Sequence, residues 1–201
     1  MALHDYASQI LGSRFTIKVL KTLLRYRGKV FTIRELARVS GVSHPQVSKI
    51  VKELETTGVV KLKPVGKAHQ IILNDESYIL KSVIEPVFRA ERETVNHLIS
   101  TIRPFFHNRK IASVALFGSV ARGEERPSSD VDLLVLTEDK DIANECVAKA
   151  STATLSAFGT ALSPFIMDKR EFVRKRSEKL VKSILESYLL VYGKDLREIV
   201  S

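Results

Sequence analysis

The stretch from Val114 to Leu136, VALFGSVARGEERPSSDVDLLVL, restricts what this chain can fold into more than any other. An apolar run (Val114, Ala115, Leu116, Phe117) stops at Gly118-Ser119, a polar segment rich in charge, Pro and Ser follows, and Asp130-Val131-Asp132 leads a second apolar run. This pattern predicts strand, turn, short helix and strand. Side chains alternate along a strand, so Asp130 and Asp132 are expected on one face of the second strand. Two carboxylates about 4 Å apart repel by roughly 4 kcal/mol at an effective dielectric near 20. A fold keeps such a pair readily when a divalent cation lies between them, and Mg²⁺ (or Mn²⁺) suits hard carboxylate and phosphate oxygens. Gly118 lets the backbone turn sharply and approach a ligand closely. Ser119 is expected to open a short helix whose free N–H groups and hydroxyl suit an anion. A phosphate site beside a metal site is the layout of nucleotidyl transfer, with Asp130 and Asp132 as the candidate catalytic and metal-binding residues.

Gly118-Ser119, ten intervening residues and Asp130-x-Asp132 between apolar neighbours resemble the signature of the DNA polymerase beta-type nucleotidyltransferase superfamily. The fuller wording GSVARG…SSDVDLLV is similar to its minimal nucleotidyltransferases, and the resemblance covers roughly residues 108–201. It implies that the Gly-Ser turn holds a nucleoside triphosphate and that the Asp pair binds the metal. Gly118, Ser119 and Arg122 are then the nucleotide-binding candidates. Many members carry a third carboxylate on the next strand, where it completes a metal site and activates the acceptor hydroxyl. Here that strand, expected over Thr160–Met167, has Ser163-Pro164 at the corresponding place, and Asp168 lies past its end. Pro164 removes a ladder donor, which fits an edge strand or a bulge. The resemblance therefore leaves three outcomes open: Asp168 substitutes through another register, the acceptor is activated otherwise, or catalysis is lost.

The charge of the chain is unevenly spread. Of the net +9, the first 75 residues hold 13 lysines and arginines against five acids, a balance of +8. That excess reads as the footprint of a polyanion-binding surface. Ser13 is expected to cap a first helix with Phe15, Val19, Leu20, Leu23 and Leu24 at helical spacing. Thr32 and Glu35 make a capping box for a second helix, stopped by Gly41, and Ser43 and Gln46 make another for a third over 44–56. That third helix should bury Val47, Ile50, Val51 and Leu54. VVKLK, a Pro64–Lys67 turn and AHQIIL read as a two-stranded ribbon. Three helices and a hairpin resemble a winged helix-turn-helix DNA-binding domain of bacterial and archaeal transcriptional regulators. The resemblance implies a recognition helix in the major groove of double-stranded DNA and a ribbon along the backbone. Ser43, His44, Gln46 and Ser48 are expected to read base edges, with Lys49, Lys52, Lys63 and Lys67 on phosphates.

Residues 76–107 carry an apolar stripe at helical spacing, with Pro86 expected to kink or divide the helix and Pro104 to stop it. They read either as a helix packing on the flanking domains or as a dimerisation helix of a homodimer. Asp139 to Gly159 reads as a helix. The tail reads as basic amphipathic helices and a short strand, Leu189–Tyr192, with Arg174, Lys175, Arg176, Lys179 and Lys182 facing solvent or supplying triphosphate or acceptor contacts. The lone Cys146 excludes a disulfide framework, and the five histidines show no metal-ligand spacing. With neither a signal-peptide pattern nor a long apolar run, a cytoplasmic protein with no membrane partner is expected.

The expectation is a mixed α/β (α+β) chain: a winged helix over 1–75, linker or dimerisation helices over 76–107, and a nucleotidyltransferase mixed sheet flanked by helices over 108–201. Its function is to bind DNA and to move a nucleotidyl group from an NTP, with Mg²⁺, to a hydroxyl on a protein or RNA acceptor. Two alternatives accompany it. One is a transcriptional regulator that only senses nucleotide, and the other is an antitoxin-like nucleotidyltransferase acting on a partner protein.

Overall fold

The computed structural model describes residues 6–65, 68–126 and 129–201, and the chain divides into two compact units, Met1–Arg92 and Glu93–Ser201. Lys67 and the tip of the Pro64–Lys67 turn lie outside the described residues.

In the first unit α1 (Tyr6–Leu11) precedes α2 (Arg14–Arg25), which starts where the Ser13 hydroxyl accepts the N–H groups of Phe15 and Thr16. A two-residue strand β1 (Phe31–Thr32) leads into α3 (Ile33–Ser40). Thr32 and Glu35 form the expected reciprocal capping box there, and Gly41 ends the helix at φ 66°. α4 (His44–Thr56) buries Val47, Ile50, Val51 and Leu54, the four residues its periodicity selects. Its start differs from expectation. The Ser43 side chain caps no backbone N–H, and its hydroxyl donates instead to Gln46 Oε1 at 2.8 Å. Pro45 in the first turn already removes one of the donors that a cap would satisfy.

β2 (Val60–Val65) and β3 (Ala68–Leu73) form the antiparallel ribbon, and β1 pairs with the other edge of β3 to give the order β1-β3-β2. The core gathers Val19, Leu20 and Leu23 of α2, Leu36 of α3, the apolar face of α4, Ile71 of the ribbon, and residues as far as Phe88. A π-helical turn, Leu80–Ile84, runs into α5 (Glu85–Ile102) just before Pro86, so the proline does mark a division. A 3₁₀ turn, Arg103–Phe106, follows α5 and contains Pro104.

The second unit is built on a four-stranded mixed sheet in the order β6-β5-β4-β7. β4 (Ile111–Leu116) lies antiparallel to both β5 (Val131–Thr137) and β7 (Leu189–Gly193), while β6 (Leu162–Met167) is parallel to β5. The parallel step requires a crossover, supplied by α7 (Lys140–Phe158), with Asp139 capping its start and Gly159 (φ 65°) its end. Because β5 alternates, Val131, Leu133 and Val135 pack with Ala143, Val147 and Ala150 of α7 and with Ile102 and Phe106. Leu134 and Leu136 face the other way. They are covered by Phe172 of α8 (Lys169–Arg174), Val181 and Ile184 of α9 (Lys179–Glu186), and Leu196 and Ile199 of α10 (Leu196–Val200). Pro164 sits in β6, an edge strand, where its missing N–H leaves no gap in the ladder. Among the described residues no helix is long and apolar enough to cross a membrane.

Candidate functional site

The turn between β4 and β5 holds the Gly-Ser and Asp-x-Asp residues together. Leu116 pairs with Leu133, and the Phe117 N–H continues the ladder by donating to the Asp132 carbonyl at 3.0 Å. The next residue therefore lies beside Asp132. It is Gly118, at φ 72°, and a Cβ there would collide with the Asp132 carboxylate. Glycine serves twice at this point, once for the left-handed backbone and once for the space that the carboxylate fills. Helix α6 (Gly118–Arg122) begins on Gly118 itself, one residue earlier than expected, because this positive φ makes the reversal out of the extended Phe117. Gly123 (φ 67°) closes the helix, and the Ser119 carbonyl accepts the Glu124 N–H at 2.9 Å. The Ser119 hydroxyl makes no hydrogen bond to a described residue, which leaves it available to a ligand.

Asp132 lies in β5 and Asp130 just before the strand. Asp132 is half-buried and Asp130 exposed. Burial pushes the Asp132 carboxyl above the ordinary aspartate range, the charge of Asp130 pushes it further, and the Arg122 guanidinium pulls it back. Among the described residues no hydrogen bond to the Asp132 carboxylate is present, and the Arg122 guanidinium is the positive charge that acts on it. Arg122 is exposed and its Nε pairs with Glu124 Oε2 at 3.0 Å. The Ser187 hydroxyl donates to the Ala121 carbonyl at 3.2 Å, tying the chain just before β7 to α6. Sequence reasoning gives no hint of Ser187, since that contact depends on β7 returning beside β4.

The parallel pairing of β5 and β6 sets Ser163 directly opposite Asp132. Asp168 lies five residues further on, roughly 16 Å along a strand. Its carboxylate caps α8 by accepting the N–H groups of Arg170 (2.7 Å) and Glu171 (3.4 Å). Among the described residues no group of three or more His, Cys, Asp or Glu is placed to hold a metal ion. The two aspartates nevertheless fit a hard divalent cation of the Mg²⁺ kind, which takes one or two carboxylates and completes its shell with water and substrate phosphates.

In the first unit His44, Gln46, Lys49 and Lys52 are exposed on α4, Ser48 is half-buried, and Lys63 is exposed on β2. Lys49 lies 3.9 Å from Glu53, one turn along the helix. Gln46 is held by Ser43, which fixes the first turn of the helix from the side-chain side.

Residues 100–196 match the family described as polymerase beta, nucleotidyltransferase, and residues 18–71 match the MarR family. A protein of Methanocaldococcus jannaschii provisionally named a protein adenylyltransferase is 30% identical over 97 residues, 42% of this chain and 60% of its own length. This chain thus aligns with less than two thirds of that relative. A second protein of the same organism and provisional name is 24% identical over 51% of this chain and 98% of its own length. Among solved structures, a toxin–antitoxin with AMP-PNP is 20% identical, over 52% of this chain and 79% of that one, with a TM-score of 0.35. The chain thus joins a segment that matches the MarR family, within its winged helix-turn-helix, to one that matches the polymerase beta nucleotidyltransferase family.

Proposed function

We propose that the C-terminal domain transfers a nucleotidyl group from an NTP to a hydroxyl acceptor, in a chain that its winged helix brings to double-stranded DNA. The observation that carries this reading is the Asp132 carboxylate lying in the space a Cβ at Gly118 would fill, next to Asp130. A phosphate-binding turn and a divalent-cation site then share one wall. Asp130 and Asp132 would hold Mg²⁺ or Mn²⁺. What a bound cation supplies is neutralisation of charge on the phosphate oxygens.

The chain's own residues do the rest. Gly118 lets the triphosphate come close to the backbone, and the Ser119 hydroxyl donates to a phosphate oxygen. Arg122 brings a guanidinium near the Asp pair, where it can leave Glu124 for a phosphate. The acceptor hydroxyl receives no carboxylate base from β6, because Ser163 stands opposite Asp132. A general base typically contributes about 10²–10⁴-fold. Turnover should accordingly be slow unless the acceptor brings its own base. The provisional names of the two relatives support ATP as donor and a protein as acceptor. Ser163 also favours a second reading, a transcriptional regulator that binds nucleotide without transferring it.

Incubation of the full chain with α-labelled NTPs, Mg²⁺ or Mn²⁺, and protein and RNA acceptors separates the two. Transfer is expected from ATP, absent in Asp130→Ala/Asp132→Ala and faster in Ser163→Asp. A single labelled partner protein would fit the antitoxin-like role. No label on any acceptor, with cation-dependent nucleotide binding intact, leaves the regulator.

A further inference from the structure

We propose that the winged-helix unit has a second nucleic-acid face, the outer side of α2, which takes the phosphate backbone of a duplex other than the one engaged by α4. The helix reads RFTIKVLKTLLR and contains no acid. Its buried residues are Thr16, Val19, Leu20, Thr22 and Leu23. Arg14, Lys18, Lys21 and Arg25 recur at intervals of four, three and four, which places all of them on one side, and all four are exposed. The stripe is about 16 Å long at 1.5 Å per residue. Arg92 of α5 extends it across a groove of about 530 Å³ floored by Leu24 and Phe88.

Among the described residues only one of these five cations meets a carboxylate, Lys21 with Glu91 at 2.6 Å. Neighbouring cations are treated differently: Arg27 is held by both Asp75 and Glu85, and Lys61 by Glu76. Like charges one turn apart repel on a helix, so a stripe with a carboxylate at only one of its cations is relieved by an extended anion. Duplex DNA offers one charge per roughly 1.7 Å of axis, a continuous match for a line of cations. α2 meets the groove beside Gln46 and Lys49 of α4 through Ser13, Phe15 and Thr16, and none of its four cations lines that groove. Two duplexes can then be held at once. This inference rests on the reading of α4 as the helix that engages duplex DNA and not on nucleotidyl transfer.

The test is capture of a labelled short duplex by the full chain already bound to an unlabelled duplex on beads. Unmodified protein is expected to capture it. Arg14→Gln/Lys18→Gln/Lys21→Gln/Arg25→Gln should reduce capture at least about tenfold while retention on the beads changes by less than about threefold, as counterion release from separate sites requires. The milder Lys18→Gln/Arg25→Gln should show an intermediate loss, and Arg14→Lys/Arg25→Lys should leave capture unchanged, since phosphates need only the charge. Lys49→Ala/Lys52→Ala should instead weaken retention on the beads. Unchanged capture in the four-fold variant overturns the proposal. So does unmodified protein that never captures a second duplex, including the case where the α2 variant loses the first, which would mean one continuous site. Binding of polyglutamate in place of duplex would assign the face to an acidic protein and overturn it too.

Discussion

Gly118 and Gly123 bracket the same five-residue helix, and both have left-handed backbones, yet a methyl group would meet different surroundings at each. At Gly123 a Cβ has nothing within 4 Å, whereas at Gly118 it runs into the Asp132 carboxylate. Gly123→Ala should therefore cost only the conformational strain, about 1 kcal/mol in urea denaturation, and leave Mg²⁺–NTP affinity within about threefold. Gly118→Ala should cost about 2 kcal/mol or more and weaken that affinity at least tenfold, because the carboxylate must move. Equal effects at the two glycines would remove the double role given to Gly118. Asp132 supports a second prediction at this scale. Its carboxyl titrates above the ordinary range because burial and Asp130 disfavour the charge. Such a group contributes stability that is fully present below the unfolded-state pKa and is lost as pH rises through the raised one. At neutral pH without divalent cations the ionised form is thus a burden on the fold. Asp132→Asn should raise Tm at pH 7 and give little gain near pH 3. Mg²⁺ with NTP should then raise the Tm of the unmodified protein and not that of the variant. Scanning calorimetry at both pH values decides, and a lower Tm for Asp132→Asn at pH 7 in cation-free buffer contradicts the assignment.

The two first turns of the helix-turn-helix look alike in sequence and differ in structure. Thr32 accepts the Glu35 N–H at 3.2 Å while Glu35 accepts the Thr32 N–H at 3.0 Å. Ser43 caps no backbone group. Thr32→Ala should consequently cost about 1 kcal/mol and Ser43→Ala only a few tenths, measured as urea midpoints with equal slopes. A Ser43→Ala cost as large as that of Thr32→Ala would mean that the serine is a working cap in solution. This contrast also shows what a sequence exposes at the scale of elements. The ends of α3 and α7 were readable because capping residues act within one turn, and α4 was readable from its apolar period, not from the expected Ser43 cap. The strand that carries Asp132 and the Gly118 turn were readable for the same reason, as local chemistry at fixed spacing, although Asp130 was expected on that strand and lies just before it. The hydrogen bond from Ser43 to Gln46 was not, since S-x-x-Q permits either arrangement and Pro45 alters the donors. Neither was the pairing of β7 with β4, nor the Ser187–Ala121 tie, because both join residues far apart in the chain. The pairing of Ser163 with Asp132 lay between these cases. The strand could be located from its apolar run, but only the ladder fixes which residue stands opposite the aspartate.

Across the whole molecule, charge and cores are divided in the same way. The core of the first unit ends at Phe88 and one core of the second begins at Leu98, with an exposed run, Arg89–Thr94, polar except for Ala90, between them on α5. The basic excess of +8 belongs to the first 75 residues, while the Asp pair and the Gly118 turn belong to the second unit. Two binding activities with different salt responses should follow. Duplex binding releases counterions, so it should weaken steeply as salt rises, with a log–log slope near −0.9 for each phosphate neutralised. Lys49→Ala/Lys52→Ala should lower affinity for all sequences and reduce that slope by about 2, whereas Gln46→Ala should relax sequence preference. The proposed Mg²⁺–NTP binding would depend on a bridging cation rather than on a released atmosphere of ions, so its salt response should be shallower. Asp130→Ala/Asp132→Ala should abolish it and leave the duplex slope unchanged. Fluorescence anisotropy on labelled duplex and titration calorimetry with NTP, run on the same preparations across a salt series, measure both. If the aspartate variant changed the slope for duplex, the nucleotidyltransferase domain would itself be neutralising phosphates, and the division of labour drawn from the charge distribution would not hold.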